Sequence, residues 1–179
     1  MDGTELASFF AYDPTVRGGV TVAVADVDGD GVAEIVTGPG PGGGPHVKVF
    51  RADGTAVGGF QAYAPEFRGG AFVAAGDLDG DGRAEIITGA GAGGGAHVRV
   101  FDGQTFAERF GFAAGAPGFT GGVRVGLTRV APDGRAVIVT TLGPGDRPRV
   151  RVWSGTDGTE LAGFLAEDPG FAGGVYVGG

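Results

Sequence analysis

The stretch "VADVDGDGVAEIVTGPGPGGG", Val24 to Gly44, returns almost unchanged as "AGDLDGDGRAEIITGAGAGGG", Ala75 to Gly95. Each copy is an apolar run, an acidic loop, a second apolar run and a glycine tract. A stretch repeated 51 residues later is the mark of a repeat array, in which one supersecondary unit buries its apolar face against the next.

Other residues keep this register along the chain. Gly-Gly pairs end loops at Gly18-Gly19, Gly69-Gly70, Gly121-Gly122 and Gly173-Gly174, spaced by 51, 52 and 52. Pro14, Pro65, Pro117 and Pro169 follow the same period, as do Phe9, Phe60, Phe112 and Phe164, and then Phe50, Phe101 and Trp153. Within one period the apolar pattern resolves into four short strands. "VTVAVAD" (Val20 to Asp26) and "AFVAAGD" (Ala71 to Asp77) are small and apolar, as expected of strands buried on both faces. "AEIVTG" and "AEIITG" follow the acidic loops. "HVKVF", "HVRVF" and "RVRVW" alternate, with Lys48, Arg99 and Arg151 opposite the valines. Turns at Asp53-Gly54, Asp102-Gly103 and Asp157-Gly158 then lead into a fourth strand carrying the recurring phenylalanine.

Four antiparallel strands per unit of roughly 50 residues predict an all-β chain of β-propeller blades. The units run 20–70, 71–122 and 123–174. An outer strand of a preceding blade is expected within 1–19 (Glu5 to Tyr12), and the first strand of a following blade at 175–179. Three complete blades with a split fourth fall short of the roughly four blades needed for closure. Further blades of a larger parent chain, or a homo-oligomer closing the ring, would make up the difference.

The acidic loop supplies oxygens at its positions 1, 3, 5 and 9 through Asp26, Asp28, Asp30 and Glu34, with Gly31 at position 6 permitting the bend. Its copy uses Asp77, Asp79, Asp81 and Glu85, with Gly82 at the bend. Together with the backbone carbonyls of Val32 and Arg83 at position 7, these are the hard oxygen donors that calcium accepts at about 2.3–2.6 Å. Two calcium sites are therefore expected. An EF-hand does not fit, because position 12 is Thr37 or Thr88 and the flanks are strands. In the third repeat the register places Arg129, Ala131, Asp133 and Val137 at the ligand positions, so that loop is degenerate.

These loops and their spacing resemble the FG-GAP and VCBS repeats of integrin alpha-chain propellers and of large bacterial extracellular proteins. The resemblance covers nearly the whole chain and implies calcium between the first two strands of a blade. Glu34 and Glu85 stand where the family pattern has a last aspartate. It also implies a secreted or cell-surface parent protein, although "MDGTELASFF" has no signal-peptide character.

Composition excludes several alternatives. The chain has 179 residues and 41 glycines without a Gly-x-y period, so it is not collagen. A net charge of -8 without a basic stripe argues against nucleic acid. There is no cysteine for disulfide or thiolate chemistry and no apolar run of membrane-span length. "GPGPGGGPH" lacks the Lys-Ser/Thr of a P-loop and reads as a long, flexible hairpin connection. His46 and His97 read as structural, the four recurring phenylalanines as interblade core, and Phe67, Phe119 and Phe171 as caps of the blade edge. No nucleophile, base and acid constellation emerges, and Tyr12 and Tyr63 show no sign of a catalytic role. The leading expectation is a non-catalytic, calcium-stabilised module for structure, adhesion or binding of a protein or carbohydrate ligand, and no enzyme. The alternatives are the propeller of a polysaccharide-active enzyme such as a lyase, with a base and an arginine in its axial funnel, and an excised or engineered fragment that self-assembles.

Overall fold

A computed structural model describes residues 5, 7–128 and 135–177. The first sheet is built in chain order from β1 (Val20–Ala25), β2 (Glu34–Pro39), β3 (His46–Phe50) and β4 (Ala56–Gln61). The second contains β5 (Ala71–Gly76), β6 (Glu85–Ala90), β7 (His97–Phe101) and β8 (Glu108–Ala113), and the third β9 (Val123–Thr128), β10 (Val137–Leu142), β11 (Arg149–Trp153) and β12 (Glu160–Leu165). Every neighbouring pair is antiparallel, and a register shift recurs in each β3–β4-type hairpin, at Val49/Phe50, Val100/Phe101 and Val152/Trp153. This all-β architecture has the form of propeller blades. No helix among the described residues is long and apolar enough to cross a membrane.

The sheets pack face to face with β1 against β5 and β5 against β9. The alternation read from sequence decides which side chains enter the interfaces. Val47 and Val49 of β3 and Val98 and Val100 of β7 are fully buried. The cations on the opposite face each reach the preceding unit: Lys48 Nζ donates to the Ala11 carbonyl (2.9 Å), Arg99 Nη1 to that of Ala62 (3.1 Å) and Arg151 Nη1 to that of Ala114 (2.9 Å). The aromatics follow the same rule. Phe9 packs on Phe50, Phe60 on Phe101 and Phe112 on Trp153, with centroids 5.1, 4.3 and 4.6 Å apart.

Several expectations are corrected. Residues 7–12 form no strand, because the strands that would pair with them lie in no sheet of this chain and a ladder needs a partner. They nonetheless lie against the first sheet as β4 lies against the second, through Phe9, Ala11 and Tyr12. Residues 175–177 are likewise not a strand, although Val175 O accepts hydrogen bonds from Thr141 Oγ1 (2.7 Å) and Arg124 Nη1 (3.2 Å). β1 is not buried on both faces. Val22 is 57% exposed, whereas its repeat equivalents Val73 and Val125 are 7% and 6% exposed under the preceding sheet. Phe164, read as interblade core, is 57% exposed because among the described residues no further sheet packs on the third. The turn at Asp102-Gly103 does not use glycine at positive φ, as Gly54 and Gly158 do in their hairpins. Phe106 adopts φ 59° instead and stacks on Phe60, with centroids 5.6 Å apart.

The glycine tracts are not loose connections. Gly40, Gly91 and Gly143 donate to the carbonyls of Gly19, Gly70 and Gly122 at 2.9, 3.0 and 2.9 Å. At Gly91 a Cβ would lie 1.9 Å from Gly69 O, which only a backbone shift could relieve. Gly91→Ala is therefore expected to lower stability by about 2 kcal/mol through overpacking. Thermal unfolding checks this, and a melting temperature unchanged from the parent chain would contradict it.

Candidate metal centres and axial cavity

The loop after β1 is organised by its own backbone before any ligand is considered. Asp26 accepts from the amides of Gly29 (2.7 Å) and Gly31 (2.8 Å), Asp28 from that of Asp30 (3.1 Å), and Asp30 from that of Val32 (2.8 Å). Glycine at positions 4 and 6 is required by φ values of 80° and 86° at Gly29 and Gly31. Val27 turns into the core at 1% exposure and pins the loop, while its amide donates to Glu34 Oε2 at 3.1 Å. The second loop repeats each of these features through Asp77, Asp79, Asp81, buried Leu78 and Glu85 Oε2. The two loops also interlock, for Ala84 donates its amide to the Asp26 carbonyl at 2.8 Å.

This folding gathers one oxygen each from Asp26, Asp28 and Glu34 within 4.8 Å of one another, and the same from Asp77, Asp79 and Glu85. Each trio could hold a divalent cation. Asp30 and Asp81 lie outside these tight trios, and each accepts the amide two residues on, of Val32 and Arg83. The Arg83 side chain reaches Gln104 Oε1 at 3.1 Å. Arg129, Ala131 and Asp133 of the degenerate loop lie outside the described residues, and Val137, the fourth position, starts β10.

Glu34 shows why a cation fits. Its side chain is fully buried, Oε2 accepts from Val27, and Oε1 has no hydrogen-bond partner. An unpaired buried carboxylate oxygen is costly and calls for a positive partner. Burial, and then the neighbouring Asp28, Asp30 and Asp26, push the Glu34 carboxyl above the usual carboxylate range against the opposing Val27 amide. Burial raises Glu85 similarly.

Elsewhere the geometry that repeats from unit to unit is structural. Tyr12 Oη lies 2.8 Å from the Thr37 carbonyl and 2.9 Å from that of His46, and burial pushes its pKa up to about 12. Tyr63 stands equivalently against Thr88 and His97 and is raised further, again by burial. Both phenols thus stay protonated donors, Tyr12 tying the N-terminal segment to the first sheet and Tyr63 the first sheet's outer end to the second.

A cavity of about 390 Å³ opens at the glycine-loop end, where β1, β5 and β9 meet. Thr21, Phe72, Arg124 and Tyr176 line it from the same position of successive repeats. Arg124 is 8% exposed, its guanidinium centre 3.9 Å from the Tyr176 ring and 5.6 Å from the Phe72 ring, and its Nε is buried without a partner. Reading the residues by motif passes over this site. The 51- and 52-residue register carries the signal, because that position changes from threonine to phenylalanine, arginine and tyrosine while its surroundings stay small.

Comparison with known proteins adds to this picture. The model of the FG-GAP-like repeat family matches residues 26–88. No curated protein matches the chain. Among solved structures, the chain is similar to a Bacillus licheniformis rhamnogalacturonan lyase PL11, at TM-score 0.63 and 21% identity over 84% of this chain and 34% of that one. It is also similar to the exotype rhamnogalacturonan lyase YesX (TM-score 0.58, 19% identity, 85% and 34%) and to rhamnogalacturonan lyase YesW (0.58, 18%, 84% and 34%). The chain thus spans about a third of the length of each. These likenesses, taken with the two acidic clusters, overturn the expectations of a non-catalytic module for structure or adhesion and of a chain that is no enzyme. The repeated sheets follow a lyase-type fold rather than the integrin-type adhesion propeller that the resemblance implied.

Proposed function

We propose that the chain is a stretch of the propeller of a polysaccharide-active lyase and that its axial cavity receives an acidic sugar. The observation that carries this is Arg124, a buried guanidinium at the cavity wall, set between Phe72 and Tyr176. A lyase removes the proton next to a sugar carboxylate, and a cation that neutralises the developing negative charge lowers the barrier of that step. Arginine suits the role because its planar fork matches a carboxylate, and the flanking rings offer an apolar face to a sugar ring. The solved lyases of similar fold support the reading.

Calcium is the ion proposed for the acidic loops. Asp26, Asp28, Asp30, Glu34 and the Val32 carbonyl would hold one ion, and Asp77, Asp79, Asp81, Glu85 and the Arg83 carbonyl the other. An extracellular setting suits such sites, since millimolar calcium fills even weak ones. Further blades of a longer chain are taken to cover the open faces of β1 and β12, and solution mass distinguishes this from a closed homo-oligomer.

Titration calorimetry with rhamnogalacturonan oligosaccharides in the presence of calcium tests the proposal. The chain is expected to bind them, and Arg124→Ala to weaken binding about tenfold or more by removing a charge-assisted hydrogen bond. Absence of binding, or an Arg124→Ala variant that binds as well as the parent, would overturn the reading.

A further inference from the structure

The two acidic clusters repeat in sequence and in backbone, yet their electrostatic surroundings differ. In the first, Glu34 Oε1 is buried and unpaired. In the second, the equivalent Glu85 Oε1 accepts from Arg109 Nη1, which also lies 2.8 Å from Asp79 Oδ2. One guanidinium nitrogen therefore bridges two of the three carboxylates that make up the second trio. Arg109 projects from β8, the outer strand of its sheet, and the residue in the same register of β4 is Val57, which has no charge to offer. The first cluster does have a cation nearby. Arg51 Nη2 lies 3.8 Å from Asp28 Oδ2 and 3.7 Å from Asp30 Oδ2, too far for a hydrogen bond, and forms no ion pair with Glu34 among the described residues.

We propose that Arg109 is a tethered counter-ion of the second cluster, so that the two repeats are unequal metal sites: a divalent cation enters the first directly but must displace Arg109 from Glu85 and Asp79 to enter the second. The inference rests on the reading of the acidic loops as cation sites and adds an order of filling. A guanidinium donating to two carboxylates makes charge-assisted hydrogen bonds, and the incoming ion has to exchange them for its own ligation. Because Arg109 is tethered, its local concentration is high and does not depend on the medium. With Arg109 in place, Glu85 Oε1 has a cationic partner at low metal, a condition under which Glu34 Oε1 of the first loop stays buried and unpaired. Both loops are closed by their own amide hydrogen bonds, but only the second also satisfies its buried glutamate without an ion.

Calcium titration by calorimetry tests this in Asp28→Asn, which disables the first trio so that the second is read alone. Replacing Arg109 by Gln in that background is expected to tighten calcium binding about tenfold, since the competitor is gone while the three acidic ligands remain. Val57→Arg in Asp79→Asn, with the second trio disabled, is expected to weaken the first site by a similar factor. Melting temperatures supply a second readout. Arg109→Gln should melt lower than the parent in chelator, and its calcium-induced rise should be larger. Equal calcium affinity with and without Arg109, together with an unchanged calcium-induced rise, overturns the tethered counter-ion while leaving the cation reading intact. No calcium binding in any variant or in the parent chain overturns both.

Discussion

Calcium in hundredfold excess over the dissociation constant of the first acidic loop is expected to raise the melting temperature by about 5–10 °C through that site alone, and chelator to reverse the change. A ligand that binds only the folded chain contributes about 2.7 kcal/mol per site at that excess, and a chain of this size gains about 2–4 °C per kcal/mol. The ion's gain comes from Glu34 Oε1, the buried oxygen that has no other partner. Glu34→Gln should abolish most of that site's share of the rise and leave the share of the second loop, because the amide keeps the shape but not the charge.

The pH dependence has opposite signs with and without the ion. Burial raises the Glu34 and Glu85 carboxyls above their ordinary value. In the metal-free chain their contribution to stability is then fully present below the unfolded pKa and is lost as pH rises through the higher folded one. Calcium selects the ionised form, so its stabilising effect grows over the same interval. Melting in chelator and in calcium at about pH 4.5 and about pH 7.5 separates the two. The gap between the curves should widen at the higher pH, and a gap of equal width would refute the assignment of the glutamates as ligands.

The parts of the fold that were legible from sequence are those decided within a few residues. Alternation in "HVKVF" and its copies assigns β3, β7 and β11 and their buried valines. Aspartates at every second position with glycine at the bend assign the loops. What could not be read locally depends on neighbours distant in the chain. Spacing does not rank the four acids of a loop, whereas the fold draws Asp26, Asp28 and Glu34, and likewise Asp77, Asp79 and Glu85, into the tight trios. Arg109 lies 24 residues beyond Glu85, on a strand whose exposed face carries no motif. Arg124 of β9 meets Phe72 of β5 and Tyr176 only because those two inner strands and residues 175–177 converge. The burial of β1 and Phe164 was overread for a related reason: their sequences are those of interior blades, but interior burial comes from the adjacent sheet and not from the strand itself.

Replacing Trp153 tests whether the repeat register governs packing. Trp153 is the single tryptophan, 5% exposed, packed against Phe112 with ring centroids 4.6 Å apart and the planes tilted by 37°, and donating Nε1–H to Thr140 Oγ1 at 2.8 Å. Truncation to alanine removes the ring, strips Phe112 of its partner and opens a cavity in the cluster with Val98, Val123 and Ile138. A loss of about 3–5 kcal/mol is expected, lowering the melting temperature by about 6–20 °C. Trp153→Phe should behave differently. Phe50 and Phe101 fill the same position in the other two sheets and make the same contact with the phenylalanine of the preceding unit. The variant therefore converts the third sheet to the composition of the first two and loses mainly the indole hydrogen bond, a cost of about 1–2 kcal/mol. Circular dichroism melting measures both variants, since tryptophan fluorescence is lost in each. If phenylalanine proved as damaging as alanine, the three sheets would not be interchangeable at their interfaces, and the equivalence of Phe50, Phe101 and Trp153 would be coincidental spacing rather than a common packing rule.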